Sequence, residues 1–444
     1  MNLKINNIGT IEYADINLNG ITIIAGDNNT GKSTIGKALY CIFNSCYDIE
    51  KYIERQKLLR ISKDIEDIIY THIRLDMENE IDNEKLDFDR FMIHKIIMNS
   101  NFLTDLPDSP HEQISYINNI FSTIVSESDI KKIDSPQLVV EEILSSINNI
   151  RNISNKSYRV ARVNNYFKQI FGDQIVNIFS GKGSVAAKIA GGTFIANFSE
   201  NASMDLTLDF NFSNKATLID SFDIIDDTKY DYIHRGGINP HEDLYRKLKN
   251  KRISDSFDVD NALAKSKLST VYNILDQAVC GVFTKTNSYE GDKFLFAGTD
   301  KPIKIKNLSS GVKSFLIIKK LCEEGVLSNR DVLILDEPEI HLHPEWQMIY
   351  AHALVVLQKE FDLTLLITSH SPAFVRSIEC FCDIYNRMDI LDVYKTKEVG
   401  GFKHTLENLS YSEYGISELY EDFSNLYETL EKMVKDNVSE EGEE

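Results

Sequence analysis

The sequence lacks the marks of several large protein classes. Its six cysteines, at 41, 46, 280, 322, 380 and 382, include no Cys-x-x-Cys pair and no Cys/His spacing of a zinc site. Free, mostly buried thiols in a reducing compartment are therefore expected, and Cys380 and Cys382 read as two residues of one strand. No apolar run approaches the roughly 18 residues of a membrane span; the longest, such as Gly20–Gly26 and Val332–Leu335, are strand-sized. Met1-Asn2-Leu3-Lys4-Ile5-Asn6 has no apolar stretch of a secretory signal, so a cytoplasmic location without membrane partners is expected. Positive charge is also short: 48 Lys and Arg against 68 Asp and Glu give a net charge of -20. Such a surface repels nucleic-acid phosphates, so any DNA binding needs a local basic patch.

What is present reads as an ordinary folded chain. With 42% hydrophobic and 26% charged residues over 444 positions, neither disorder nor a fibrous repeat is indicated, and the length suits two or three lobes. Residues 1–45 read as β then α. Leu3-Lys4-Ile5 and Ile11–Leu18 alternate as a hairpin, Ile21-Thr22-Ile23-Ile24-Ala25 is a short buried strand, and Ser33–Phe43 is a helix. Residues 46–170 carry apolar side chains at helical spacing, with a turn at Asp105–Pro110 and no sustained heptad, which predicts an inserted helical arm rather than a coiled coil. Residues 171–240 return to β, with candidate strands at Ser184–Ile189, Gly192–Phe198, Met204–Phe212 and Ala216–Phe222. Residues 241–282 read as helical, and 283–385 as strands flanking a turn at Asn287–Asp292 followed by a dense run of motifs. Residues 386–444 read as an extension ending in the acidic tail Glu440-Glu441-Gly442-Glu443-Glu444. There is no internal repeat or low-complexity linker, so this order predicts one split α/β head with an insertion.

Four motifs carry chemistry. In Gly26-Asp27-Asn28-Asn29-Thr30-Gly31-Lys32-Ser33, followed by Thr34, a glycine-bounded loop joins an apolar strand to a helix. Its backbone N–H groups and the helix N-terminus suit a triphosphate, with Lys32 reaching the β- and γ-phosphates and the Ser33 hydroxyl ligating Mg²⁺. This predicts ATP and Mg²⁺ as cofactors. In Val332-Leu333-Ile334-Leu335-Asp336-Glu337-Pro338 an apolar strand delivers two carboxylates at its C-terminal end, where ligands sit in open α/β sheets. Asp336 would join the Mg²⁺ shell, and Glu337 would orient and deprotonate the attacking water. The small-residue loop Asn307-Leu308-Ser309-Ser310-Gly311-Val312-Lys313-Ser314 opens a helix from Phe315 to about Leu327. Finally, the strand Leu365-Leu366-Ile367-Thr368-Ser369 ends on His370.

Together these elements resemble the ATP-binding-cassette ATPase superfamily on its SMC/Rad50/RecF side. The stretch Asp336-Glu337-Pro338-Glu339-Ile340-His341-Leu342-His343-Pro344 looks like the OLD-type, or AAA15, ATPases. The likeness is specific over about 1–45 and 300–375 and only architectural over the arm. It implies an ABC-type head, a mixed sheet with flanking helices, that dimerises with two ATP molecules sandwiched between subunits. Lys32, Ser33, Asp336, Glu337 and the switch histidine His370 of one chain would then face Ser309, Ser310 and Gly311 of the other, with His343 in the loop that crosses the interface. Ser310 stands where transporters have glycine and Val312 where they have Gln or Glu, which takes a polar side chain from the interface. The Q-loop glutamine is unplaced among Gln113, Gln169 and Gln174.

Absences refine the likeness. No Cys-x-x-Cys hook marks a Rad50-type tether. After His370 there is no Asp-x-Asp of a Toprim nuclease, since Asp389-Ile390-Leu391-Asp392 has the wrong spacing, and no HNH-like cluster. The pattern looks like the ATPase subunits of two-gene anti-phage systems, the PARIS ATPase with its Toprim partner first and the Septu ATPase with its HNH partner second. That implies a sensor or scaffold that forms homodimers and higher homo-oligomers and holds a separate nuclease effector until a phage-encoded trigger is sensed. The alternative is a RecF-like DNA-clamping ATPase, for which Arg246, Lys247, Lys249, Lys251 and Arg252 form the one basic cluster. If the chain clamps DNA, its affinity in a fluorescence-anisotropy titration falls steeply with salt; no binding at low salt removes that reading.

Overall fold

The computed structural model describes residues 1–72, 91–98, 102–125, 135–199, 204–209, 212, 214–226, 238–249, 268–284, 292–411, 415–417, 419 and 420. The chain divides into a head, residues 1–47 with 162–444, and a second unit, residues 48–161.

The head is built on a mixed sheet of eleven strands in the order β6-β5-β4-β1-β2-β14-β13-β3-β12-β11-β7. Its strands are β1 (Asn2–Ile8), β2 (Ile11–Asn17), β3 (Ile21–Ala25), β4 (Lys182–Ile189), β5 (Gly192–Ser199), β6 (Met204–Leu208), β7 (Ala216–Ile219), β11 (Val332–Asp336), β12 (Thr364–Ser369), β13 (Leu391–Gly400) and β14 (Lys403–Asn408). A separate three-stranded sheet holds β8 (Gly281–Thr284), β9 (Lys293–Phe296) and β10 (Ile303–Lys304). The five strands β13, β3, β12, β11 and β7 run parallel. β3, β12, β11 and β7 are near-continuous apolar runs because both faces are covered, and β3 is buried at all its positions; β13 is buried only over its first half. The strands from β6 to β2 pair antiparallel as hairpins and meanders.

Five helices matter for the site: α1 (Lys32–Cys46), α2 (Pro240–Lys249), α3 (Ser310–Glu323), α4 (Pro344–Phe361) and α5 (Pro372–Ile384). Helix α1 lies so close to the sheet that a Cβ on Gly36 would stand 2.9 Å from Ile334 Cγ2. Helix α3 is anchored by Phe315, which meets Tyr350 edge-on at 5.2 Å and Trp346 at 5.6 Å between ring centroids, both from α4. Edge-to-face aromatic packing of this kind adds about 0.5–1.5 kcal/mol beyond the area buried. The core around it includes Leu333, Leu335, Leu354, Ile367 and Val393.

The second unit is helical in its described residues. Ile49–His72, 91–97, Phe102–Asp105, Pro110–Ile124 and Pro136–Asn152 bury their own core, including Ile61, Ile65, Ile97, Phe121, Ile143 and Ile147. The spacing 61, 65 and 143, 147 is the helical period read in the sequence. Ser146 Oγ donates to Asp64 at 2.7 Å, which ties Pro136–Asn152 to Ile49–His72. Among the described residues no helix is long and apolar enough to cross a membrane.

Three readings change. Cys380 and Cys382 lie on helix α5, not on a strand. Ser371 caps that helix, accepting from Phe374 N at 3.3 Å with Pro372 in the first turn, and this start signal outweighs the short-range alternation. Burial pushes the Cys382 thiol up to about 12. Residues 391–408, set apart above as an extension, supply β13 and β14, and β13 pairs directly with β3. The helical stretch 241–282 consists of α2 and a helical segment over 268–275, followed by strand β8; residues 250–267 lie outside the described residues. Phe315, 1% exposed, holds α3 in place. Phe315→Ala is expected to destabilise the head by about 3–5 kcal/mol, read as a lower urea midpoint of the head's transition.

Candidate nucleotide-binding site

β3, β12, β11 and β7 end at one edge of the sheet, and the first three lead into residues singled out in the sequence. β3 runs into Gly26, β11 into Glu337, β12 into His370 and β7 into Asp220. Register makes this a site: Ala25 stands opposite Ser369, and Asp336 opposite Thr368.

The loop after β3 folds tightly against its neighbours. Gly26 has φ +150°, and a Cβ there would fall 1.8 Å from Thr396 Oγ1 on β13. Thr396 Oγ1 donates to Thr30 Oγ1 at 3.0 Å, and Thr30 Oγ1 donates to Asp27 O at 2.8 Å. Gly31 has φ +88°, and a Cβ there would meet Thr10 Oγ1 and Ile11 Cδ1, each at 2.6 Å. Only glycine fits both left-handed backbone and close approach. Gly31 occupies the cap position of α1 without a side-chain cap, so the first-turn N–H groups have no capping side chain and suit an anion. Lys32, 3% exposed, donates from Nζ to Gly26 O at 3.0 Å and Asp27 O at 2.7 Å, and stands 3.3 Å from Glu337 Oε1. The ammonium is thus held where the loop's carbonyls and a carboxylate meet.

Thr368, not anticipated as a site residue, organises the acidic pair. Its hydroxyl donates to Asp336 Oδ1 at 2.5 Å and accepts from Glu337 N at 3.0 Å. Glu337 N also approaches Thr368 O at 3.2 Å. Glu337 adopts φ +49°. A left-handed non-glycine residue costs of order 1–3 kcal/mol, held here by those hydrogen bonds.

A groove of about 410 Å³ brings together Asn28, Asn29, Ser33, Ser310, Asp336 and Glu337, with Asp220, Ser221 and His341. A second hollow of about 360 Å³ lies beside Gly26, Asp27 and His370, with Lys395 and Thr396. His370 Nδ1 is 3.7 Å from Glu337 Oε2 and 3.7 Å from Glu339 Oε1. Ser310, expected to act across a dimer, lines the same groove as Ser33 of its own chain. Ser309 caps α3, accepting from Val312 N at 3.5 Å. A Cβ on Gly311 would stand 2.7 Å from His341 O, so this glycine lets the loop after β11 lie against α3. Val312 packs on the head core. Lys313 pairs with Asp223 at 3.1 Å and with Asp226. Burial works against its charge, but the hydrogen bonds to both aspartates outweigh it and raise its pKa.

None of the three glutamines considered above lines the groove. Gln113 belongs to the second unit and donates to Pro107 O, Gln169 accepts from Ile238 N, and Gln174 lines a different hollow beside Lys168. Asp220, paired with His241 Nε2 at 2.9 Å, occupies the groove instead. The burial of β7 marks the strand; only its pairing with β11 reveals what its end faces. The basic cluster is largely spent on ion pairs: Arg246 with Glu242, Lys247 with Asp243, and Lys249 with Asp292. Lys251 and Arg252 lie outside the described residues.

The residues fit a magnesium nucleotide. A glycine-bounded cradle, a buried lysine and the uncapped start of α1 suit phosphates. Ser33 and Asp336 offer a hydroxyl and a carboxylate, the sparse oxygen set that Mg²⁺ takes when phosphates and water complete its shell. Fold and site together define a P-loop nucleotide-binding head. The chain belongs to the AAA_15 family, described as an AAA ATPase domain, whose profile matches residues 1–375. It is 27% identical over 204 residues to the Septu protein PtuA of Bacillus thuringiensis, covering 41% of this chain. The chain spans about half the length of that relative, 48%. A stretch of 101 residues, 22% of this chain, is 34% identical to 6% of the mouse ABC-type organic anion transporter ABCA8B. Among solved structures, an SMC head bound to the C-winged helix domain of ScpA gives a TM-score of 0.41 at 11% identity, covering 93% of this chain and 98% of that one. The SMC head domain from Thermotoga maritima gives 0.37 at 9% identity, covering 92% and 97%.

Because Thr368 fixes both carboxylate-bearing residues, Thr368→Val is expected to raise the Mg²⁺ concentration needed for half-maximal ATP-analogue binding by about tenfold or more, measured by fluorescence titration.

Proposed function

We propose that this ATPase-family chain binds ATP with Mg²⁺ at the Gly26–Ser33 loop, hydrolyses it, and works as an ABC-type dimeric switch. The observation that carries the reading is the meeting of Lys32, Ser33, Asp336 and Glu337 at one sheet edge, with His370 3.7 Å from Glu337. The backbone of Gly26–Gly31 and the start of α1 would hold the phosphates, and Lys32 would leave its carbonyl partners for the β- and γ-phosphates. Ser33 and Asp336 would hold Mg²⁺, which when bound neutralises charge on the phosphate oxygens. Glu337 would take a proton from the water that attacks the γ-phosphorus, while the bond to the ADP oxygen breaks and ADP leaves with the electron pair. His370 would contact the γ-phosphate. A general base of this kind typically contributes about 10²–10⁴ in rate.

In this reading two chains close on two nucleotides, and Ser309, Ser310 and Gly311 at the start of α3 present hydroxyl and backbone groups to the partner's γ-phosphate. The likeness to a Septu protein supports a place in prokaryotic anti-phage defence, where ATP-driven closure would set the hold on a separate nuclease effector of Toprim or HNH type. The ion pairing of Arg246, Lys247 and Lys249 favours this over a DNA clamp.

Glu337→Gln is expected to cut hydrolysis by about 10²-fold or more while leaving ATP binding intact. Light scattering should then find ATP-dependent dimers that outlast those of the wild type. Hydrolysis at the wild-type rate would overturn Glu337 as the base, and a monomer at saturating ATP would overturn the dimeric switch.

A further inference from the structure

One buried acid stands beside this machinery without a role in it. Glu339 is 1% exposed, although it lies in the loop that leads from β11 to α4. Its Oε1 accepts from Ser369 Oγ at 2.6 Å and from His370 N at 3.1 Å, so it grips the end of β12 by main chain and side chain together. Its Oε2 is buried with no hydrogen-bond partner. A buried acceptor without a donor is a costly arrangement unless some state of the protein supplies one. Burial also pushes the carboxyl of Glu339 upward, against the hydrogen bonds from Ser369 and His370 that favour its charged form. The imidazole nitrogen Nδ1 of His370 lies 3.7 Å from Glu339 Oε1 and equally far from Glu337 Oε2.

Two carboxylates therefore compete for one imidazole nitrogen, and they differ in freedom. Glu337 is partly exposed and also faces Lys32. Glu339 is fixed: Leu342 N donates to Glu339 O at 2.9 Å, and the same loop is tied to the cap of α5 by Gln347, which donates to Leu342 O at 3.1 Å and accepts from Ser371 Oγ at 2.8 Å. We propose that Glu339 is a positioning residue for His370: it takes the Nδ1–H of the imidazole, which aims Nε2 at the nucleotide and releases the Glu337 carboxylate to accept a proton from water. The proposal rests on the ATPase reading for its effect on rate, but the pairing itself does not depend on hydrolysis.

The assignment predicts a specific pattern. Glu339→Gln keeps an acceptor for Ser369 Oγ and His370 N but removes the negative charge facing Nδ1. In the full chain it should lower kcat about tenfold with KM for ATP within about twofold, because the acid acts through His370 and not on the bound nucleotide. In a His370→Ala background the same substitution should cost nothing further, since two residues that act as one unit are not additive. Nitrogen-15 spectra of histidine-labelled protein, with the His370 ring assigned by its loss in His370→Ala, should find a protonated Nδ1 in the wild type and a changed Nδ1 signal in Glu339→Gln, with or without an ATP analogue. An unchanged Nδ1 signal overturns the proposal whether or not the chain hydrolyses ATP. Additive losses in the double variant, with melting temperatures preserved, overturn it as well, by showing that Glu339 acts apart from His370. A wild-type chain that binds ATP without turning it over would remove the ATPase reading, and the spectra would still decide the pairing.

Discussion

The level at which β11 lies against β12 sets everything at the head's functional edge. A strand register can slip only by whole residues, and a slip of one turns every side chain to the opposite face. With Asp336 opposite Thr368, a single hydroxyl reaches the carboxylate of Asp336 and the backbone of Glu337 at once. That bridge lets Glu337 hold a left-handed backbone, with its carboxylate facing Lys32 at the start of α1. The next residues of β12 continue the theme: Ser369 and His370 engage Glu339. Thr368, Ser369 and His370 thus organise three residues at the end of the other strand: Asp336, Glu337 and Glu339.

Glycine and threonine do a related task on the other side of β3. The phosphate loop is squeezed between β13 and the β1–β2 turn, with Thr396 on one flank and Thr10 on the other. Space for a nucleotide is not carved out of the loop by large side chains. It results from a backbone drawn tightly against two strands. Helix α3 is held beside the same groove by aromatic packing of Phe315 on α4.

Much of this was legible in the sequence because the motifs are local. The strand–loop–helix around Gly26–Ser33, the apolar run ending in Asp336 and Glu337, and the strand ending in His370 each announce themselves within about ten residues, the range over which periodicity and turn chemistry act. The helical arm was legible for the same reason. Thr368 and Glu339 were not, although both sit inside motifs already marked, since their roles depend on which strand lies beside which. Asp220 was hidden likewise: the search was for a glutamine, and only the pairing of β7 with β11 places an aspartate there. Strand β13 carries no motif at all, and its apolar residues 391, 393 and 394 give too short a run to tell a central strand from a surface hairpin.

That last strand has a consequence for how the head comes into being. β3 is completed near the start of the chain, yet both of its neighbours in the sheet, β12 and β13, are made from residues after 363. Until both are made, β3 has two open edges, exposed to wrong pairings of the kind long-range sheets invite. The strand that leads into the phosphate loop thus takes its place in the sheet only when two strands from far along the chain close on either side of it.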